Sequence, residues 1–185
     1  MLVSNVNTPV TPNFTQAELY SKSPDAPSVH FLDDRAIEAL QYIRELSNSP
    51  IRVTSTYRTP EFNPLIGGSS RSQHLAGKAI DFQWYSDNDA ELKRLKGEFL
   101  KEGSLLRENL FQMGVRGFGF YETFVHLDVR DSQDWVPYGD DIPMIYQVGD
   151  TAYVYDVGAG FWRDYKNYIA LAVMGLCIYL LIRTI

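Results

Sequence analysis

The sequence predicts an α+β fold, a small antiparallel sheet flanked by helices, with a C-terminal hydrophobic helix that reads as transmembrane. Three observations carry that expectation. Apolar residues recur at helical spacing over 33–47, short runs alternate at strand spacing at 51–55 and 125–129, and residues 167–182 contain no charge. The first two are the 3.6-residue and 2-residue periods that bring one face of a helix or strand to a core. The third is apolar on every face, as a segment surrounded by lipid or protein must be.

The elements follow in chain order. Thr15-Gln16-Ala17-Glu18 has the spacing of a capping box, in which hydroxyl and carboxylate satisfy each other's open backbone donors, so a short helix starts there. In DDRAIEALQYIRELS, Ile37, Leu40, Ile43 and Leu46, with Ala36 and Ala39 beside them, mark a buried stripe. Pro50 ends that helix, and Ile51-Arg52-Val53-Thr54-Ser55 alternates as a strand entering the turn YRTPEFN. Asp87 or Asn88 caps a third helical region running to about Met113, interrupted near Gly103-Ser104. Glycines at 114, 117 and 119 then open a β-rich stretch, FGFYETFVHLDVR. Two further alternating runs, 144–148 and 152–157, joined through Gly149-Asp150, read as a β-hairpin.

Residues 167–182 would span about 24 Å as a helix, short against a hydrocarbon core of roughly 30 Å. Trp162, Tyr165 and Tyr168 on the entry side, and Lys166 and Arg183 as snorkelling flanks, favour a membrane anchor. The alternative is a helix packed into the domain or into a neighbouring subunit. The expected organisation is a domain over 1–136, a hairpin or linker over 137–161 and an anchor over 162–185.

Composition narrows the function classes. A chain of 185 residues holds one ordinary core plus something small. Its net charge of -6 provides no footprint for nucleic-acid phosphates, so no nucleic-acid partner is expected. Cys177 is the only cysteine, which rules out an intrachain disulfide and leaves a bound metal as an alternative staple. The opening MLVSNVNTPVTPNF has no basic region followed by an apolar run, so no secretory signal is expected.

The chemistry concentrates in two stretches. SRSQHLAGKAIDF, residues 70–82, carries His74 and Asp81 on either side of a small glycine-containing connection. On the later strand, Val125 and Leu127 alternate with His126 and Asp128, so the two polar side chains share one face. Either His taken alone is more often structural than a ligand; two of them, each close to an Asp, form a candidate metal site. His30 has no such company and reads as surface or helix entry.

These residues resemble a known family. Thr54-Ser55-Thr56-Tyr57-Arg58-Thr59-Pro60-Glu61-Phe62-Asn63, then Gly67-Gly68, then Ser72-Gln73-His74 through Asp81, then Phe124-Val125-His126-Leu127-Asp128-Val129-Arg130 are similar to the zinc D-alanyl-D-alanine carboxypeptidases. That family groups with lysostaphin-type peptidases and the Hedgehog domain. The likeness covers roughly residues 11–136, and Thr11-Pro12-Asn13-Phe14-Thr15 resembles the lead-in of the phage and bacterial cell-wall members.

The resemblance implies a single site holding Zn2+ through His74, Asp81 and His126, with a fourth position open for the water that attacks. Gly77 and Ala79 keep the His74–Asp81 connection free of bulk. Arg58 would hold a peptide carboxylate or the developing oxyanion. Ser72 and Gln73 either contact substrate or stabilise the turn. The general base departs from the pattern: many members carry an acid three residues before the second His, where this chain has Thr123. Glu122 is one step further, and in a fully extended strand it would lie about 13 Å from His126. A turn or bulge after Gly119 would close that gap. Glu122 as base, with Asp128 fixing the tautomer of His126, is the favoured assignment; Asp128 as base is the other.

The implied reaction is hydrolysis of an amide bond in a peptidoglycan stem peptide, by an endopeptidase or a D,D-carboxypeptidase. A wall-cleaving domain with a C-terminal anchor and no export signal fits a bacteriophage whose virion encloses a membrane, or else the bacterial envelope through a lysis system. The expected partners are therefore the stem peptide, a lipid membrane and viral structural proteins. The rival expectation is a catalytically degenerate, zinc-stabilised structural or interaction protein of a membrane-containing virion.

Overall fold

Short-range signals in the sequence become the elements of the fold in the computed structural model, which describes residues 1–101, 104–121, 123–129, 145–148, 151–156 and 161–164. β1 (Leu2–Ser4) leads to α1 (Gln16–Leu19), which starts with the expected capping box: Thr15 Oγ1 accepts from Glu18 N at 3.4 Å, and Glu18 Oε2 accepts from Thr15 N at 2.9 Å. β2 (Val29–Phe31) returns antiparallel to β1, with Val3 opposite His30. Val29 and Phe31 face outward and His30 inward, so His30 is buried rather than at the surface.

α2 (Asp34–Ser47) is capped by the Asp33 carboxylate, which accepts from Arg35 N at 3.1 Å. It ends at Asn48, whose left-handed φ of 50° closes the helix two residues before Pro50. Ile37, Leu40 and Ile43 are buried as the stripe predicts, while Leu46 in the last turn is 46% exposed. The apolar stripe thus stops one turn earlier than its periodicity implies.

β3 (Ile51–Ser55), α3 (Phe62–Leu65), a 3₁₀ turn (Gln73–Ala76) and β4 (Ala79–Trp84) follow. The third helical region divides near Gly103 as expected, into α4 (Asn88–Leu100) and α5 (Leu105–Gln112). Asp87 occupies the cap position of α4 but makes no side-chain cap bond; the Asn88 amide oxygen instead accepts from Trp84 N at 2.9 Å. β5 (Val115–Phe120) and β6 (Val125–Val129) complete an antiparallel sheet of order β3-β4-β6-β5.

The two faces of this sheet differ in chemistry. Ile80, Phe82 and Trp84 of β4, Val125, Leu127 and Val129 of β6, and Phe118 and Phe120 of β5 enter one core with α2, α4 and α5. Phe99 of α4 stacks on Phe118 with ring centroids 4.5 Å apart, an offset contact worth about 0.5–1.5 kcal/mol beyond its area. The opposite face carries Asp81, His126 and Asp128, and His74 and Arg58 lie over it, so these polar side chains are buried too.

A separate antiparallel sheet joins β7 (Ile145–Val148), β8 (Thr151–Asp156) and β9 (Phe161–Asp164). β7 and β8 pair as a hairpin with Val148 opposite Thr151, and β9 adds a third strand across residues expected to join linker to anchor. Residues 167–182 lie outside the described residues. Among the described residues no helix is long and apolar enough to cross a membrane.

Candidate metal centre

Strand register brings the predicted ligands together. Asp81 on β4 pairs directly with His126 on β6, so both side chains leave the sheet on one face at one level. His74 arrives from the 3₁₀ turn, which is shaped by Ser72 Oγ accepting from His74 N at 3.3 Å and closed by Gly77. Gly77 has φ +64°, and a Cβ there would overlap the Phe31 carbonyl. Glycine at 77 is thus demanded by a left-handed backbone and a close approach, a more specific requirement than freedom from bulk.

His74 Nε2 lies 3.2 Å from Asp81 Oδ1 and 3.3 Å from His126 Nδ1, and His126 Nδ1 lies 2.6 Å from the same Asp81 oxygen. All three residues are buried, and their donor atoms fall within 4.8 Å of one another. Tetrahedral coordination with bonds of about 2.0–2.1 Å separates neighbouring donors by roughly 3.3 Å. Two of the three separations match that value, and the third is the length of a hydrogen bond that an ion would replace. Two imidazole nitrogens and one carboxylate oxygen are also the donor chemistry zinc prefers in hydrolytic sites.

The nitrogens turned away from this centre are held as well. His74 Nδ1 lies 2.5 Å from the Thr56 carbonyl, to which it donates, leaving the Nε2 lone pair directed at the cluster. His126 Nε2 lies 3.2 Å from Asp128 Oδ2 and is satisfied when it donates to that carboxylate. Gly117 of β5 lies opposite Asp128, and a Cβ there would overlap the carboxylate. Asp128 therefore faces the outer edge of the His126 ring, and Nδ1 faces the cluster.

Electrostatics follow from burial and proximity. Burial alone would raise the Asp81 carboxyl, but the charge of His126 and hydrogen bonds from both imidazoles outweigh it and hold the group well below the usual carboxylate range. Burial opposes charge on His126 too, yet the Asp81 and Asp128 carboxylates prevail and push it up to about 9. Burial dominates at His74 and lowers it.

Arg58 meets the same cluster. Its Nε donates to Ser55 Oγ at 2.8 Å, its guanidinium pairs with Asp81 Oδ2, and its backbone N donates to the His74 carbonyl at 3.0 Å. A cleft of about 290 Å³ opens beside it, lined by Lys22, Ser23, Thr54, Ser55, Arg58, Phe62, Ile66, Asp81 and Phe124. Ser72 Oγ and the Gln73 carbonyl, which accepts from Lys78 N at 3.0 Å, both serve the turn that presents His74.

β6 starts at Val125, and Tyr121 N donates to the Phe124 carbonyl at 2.9 Å across the β5–β6 connection. Glu122 itself lies outside the described residues. Sequence reasoning missed Thr56, a backbone carbonyl without a side-chain signature, and His30. Ser21 N donates to His30 Nε2 at 2.9 Å, and the His30 ring stacks on Tyr57 with centroids 5.2 Å apart.

Comparison with known proteins completes the description. The family described as Peptidase M15 matches residues 12–128, a span that contains every described residue of the cluster. No curated protein matches the chain.

Proposed function

The chain belongs to the Peptidase M15 family, a family of metallopeptidases, and we propose that it is a zinc-dependent peptidase that hydrolyses an amide bond of a peptidoglycan stem peptide. The convergence of His74 Nε2, Asp81 Oδ1 and His126 Nδ1 within 4.8 Å, beside a cleft that holds an arginine, carries this reading. His74, Asp81 and His126 would hold the zinc. When bound, zinc supplies the Lewis acidity that makes water a nucleophile near neutral pH.

The chain's own groups supply the rest. The Thr56 carbonyl and the Asp128 carboxylate fix the tautomers and ring orientations of the two imidazoles, which keeps the metal-facing lone pairs in place without reorganisation. Arg58, oriented by Ser55 and by Asp81, stands at the wall of the cleft where the amide oxygen gains negative charge. Phe62, Ile66 and Phe124 line the same cleft and give it an apolar wall beside the reacting amide. Glu122 is assigned as the general base, since the Thr123 hydroxyl cannot accept a proton at neutral pH, and Asp128 as a positioning residue.

The uncharged run 167–182 supports a membrane-anchored protein, in the bacterial envelope or in a virion that encloses a membrane, where viral structural proteins would be its neighbours. Fractionation of infected cells and of purified particles tests that location; protein found solely in the soluble fraction would refute it.

Digestion of purified peptidoglycan, with mass spectrometry of the released muropeptides and zinc measured on the same protein, tests the activity. The expected result is about one zinc per chain and a new amine and carboxylate in one stem-peptide position, both lost in His126→Ala. Stoichiometric zinc with no cleavage of any wall type would instead favour the degenerate interaction module.

A further inference from the structure

We propose that His30 is an acid-sensitive latch on the segment that carries Arg58: as a neutral imidazole it locks residues 57–59 against 21–23, and on protonation it releases them. The proposal rests on the peptidase reading above for the task of Arg58 and adds a regulation to it.

Two segments distant in sequence are laced together beside this ring. Ser21 Oγ donates to the Tyr57 carbonyl at 2.6 Å, Thr59 N donates to Ser23 Oγ at 3.2 Å, and Thr59 Oγ1 donates to the Asp25 carboxylate at 2.7 Å. The backbone is thus pinned on both sides of Arg58, which lines the cleft. His30 touches both segments at once. Its Nε2 accepts from Ser21 N at 2.9 Å, and its ring stacks on Tyr57 with centroids 5.2 Å apart and planes 19° from parallel.

The hydrogen bonds of the ring make the latch depend on a proton. His30 Nδ1 lies 3.2 Å from the Phe31 carbonyl, to which it donates, so Nε2 keeps the lone pair that the Ser21 N–H needs. Protonation puts a hydrogen on both nitrogens. Nε2–H would then face Ser21 N–H, donor against donor, between two buried residues. Pairing of β2 with β1 holds His30 in place opposite Val3, whereas residues 21–23 belong to the loop between α1 and β2, so the loop is the part that yields. Among the described residues the titratable side chains whose rings meet the imidazole are two phenols, Tyr57 and, with centroids 5.3 Å apart, Tyr20. The charged groups of the adjoining elements are engaged elsewhere. Lys22 donates to the Glu18 carbonyl, the Glu18 carboxylate accepts from Thr15, and Asp33 accepts from Arg35. Burial therefore outweighs the Phe31 hydrogen bond and lowers the His30 pKa from 6.5. The latch holds at neutral pH and opens on the acid side of that value.

Amide hydrogen exchange by NMR tests this on the full-length chain in detergent, between about pH 7 and 5. The signals to follow are the His30 imidazole nitrogens and the Ser21 and Thr59 amides, with protection expressed relative to the unfolded-chain rate at each pH. In the wild type both amides should lose about tenfold in protection for each pH unit below the His30 midpoint, as the protonated fraction grows. His30→Gln keeps an acceptor at the Nε2 position that takes up no proton, so its two amides should hold constant protection over the same range. Wall digestion gives a second readout: the ratio of wild-type to His30→Gln kcat/KM should fall in step with the wild-type protection. Constant protection while His30 titrates, the same loss in His30→Gln, or an activity ratio independent of pH would overturn the proposal. If neither protein cleaves peptidoglycan while protection follows His30 as expected, the peptidase reading falls and the latch stands.

Discussion

Replacing Gly117 by alanine tests whether Asp128 acts through His126. A Cβ at 117 would occupy the space of the Asp128 carboxylate, which is 1% exposed and has no route to solvent. The carboxylate must then retreat by about an ångström, as overpacked groups do. The bond from His126 Nε2 already measures 3.2 Å, so such a shift takes it past hydrogen-bonding distance. Loss of a charged hydrogen bond costs about 1.5–3 kcal/mol, and loss of the group that orients a ligating imidazole weakens metal binding roughly 10–100-fold. Competition against a chromophoric chelator would read the zinc affinity, and circular dichroism would confirm that the fold survives. Asp128→Ala should cause a similar loss, and Gly117→Ala placed on top of it should change affinity little further, since the two act through one contact. A folded Gly117→Ala protein that binds zinc within about twofold of wild type, or whose loss adds fully to that of Asp128→Ala, would refute the reasoning.

Two further outcomes are expected. Gly77→Ala forces a side chain onto a φ of +64° and into the Phe31 carbonyl, so it should lower stability by more than about 2 kcal/mol in urea unfolding, with a matching fall in melting temperature. His30 is held neutral by burial, with its folded pKa below 6.5; as pH falls below about 6.5 the unfolded chain takes up the proton first, and stability declines until the folded pKa is reached. Urea unfolding of wild type and His30→Gln between about pH 8 and 5 should show their difference shrinking as pH falls, and a difference independent of pH would contradict the buried, neutral imidazole.

Much of this was legible in the chain because the signals were local. A capping box over 15–18, an alternating strand around His126 and the Ser72 to Asp81 run each report on a few adjacent residues. Register was less so: nothing in the sequence states that Asp81 stands opposite His126, because pairing depends on which strands become neighbours. His30 was misread for a physical reason. On β2 the apolar Val29 and Phe31 face outward and the imidazole faces in, the reverse of the usual partition, because Ser21 needs an acceptor there. The Thr56 carbonyl carries no side-chain signal, and its place beside His74 follows from the tertiary fold.

The strand order β3-β4-β6-β5 has a consequence for the birth of the protein. The last residue of the candidate site, His126, arrives on a strand that inserts beside β4, about 45 residues after Asp81. While a ribosome has delivered only the first hundred residues, His74 and Asp81 have no third ligand, and the β4 edge that β6 will cover is bare. The nascent chain is therefore a poor chelator until the β5–β6 hairpin leaves the exit tunnel and docks. For the proposed zinc site, metal capture and sheet closure would then be one event, with little capacity to hold the ion before the sheet is complete.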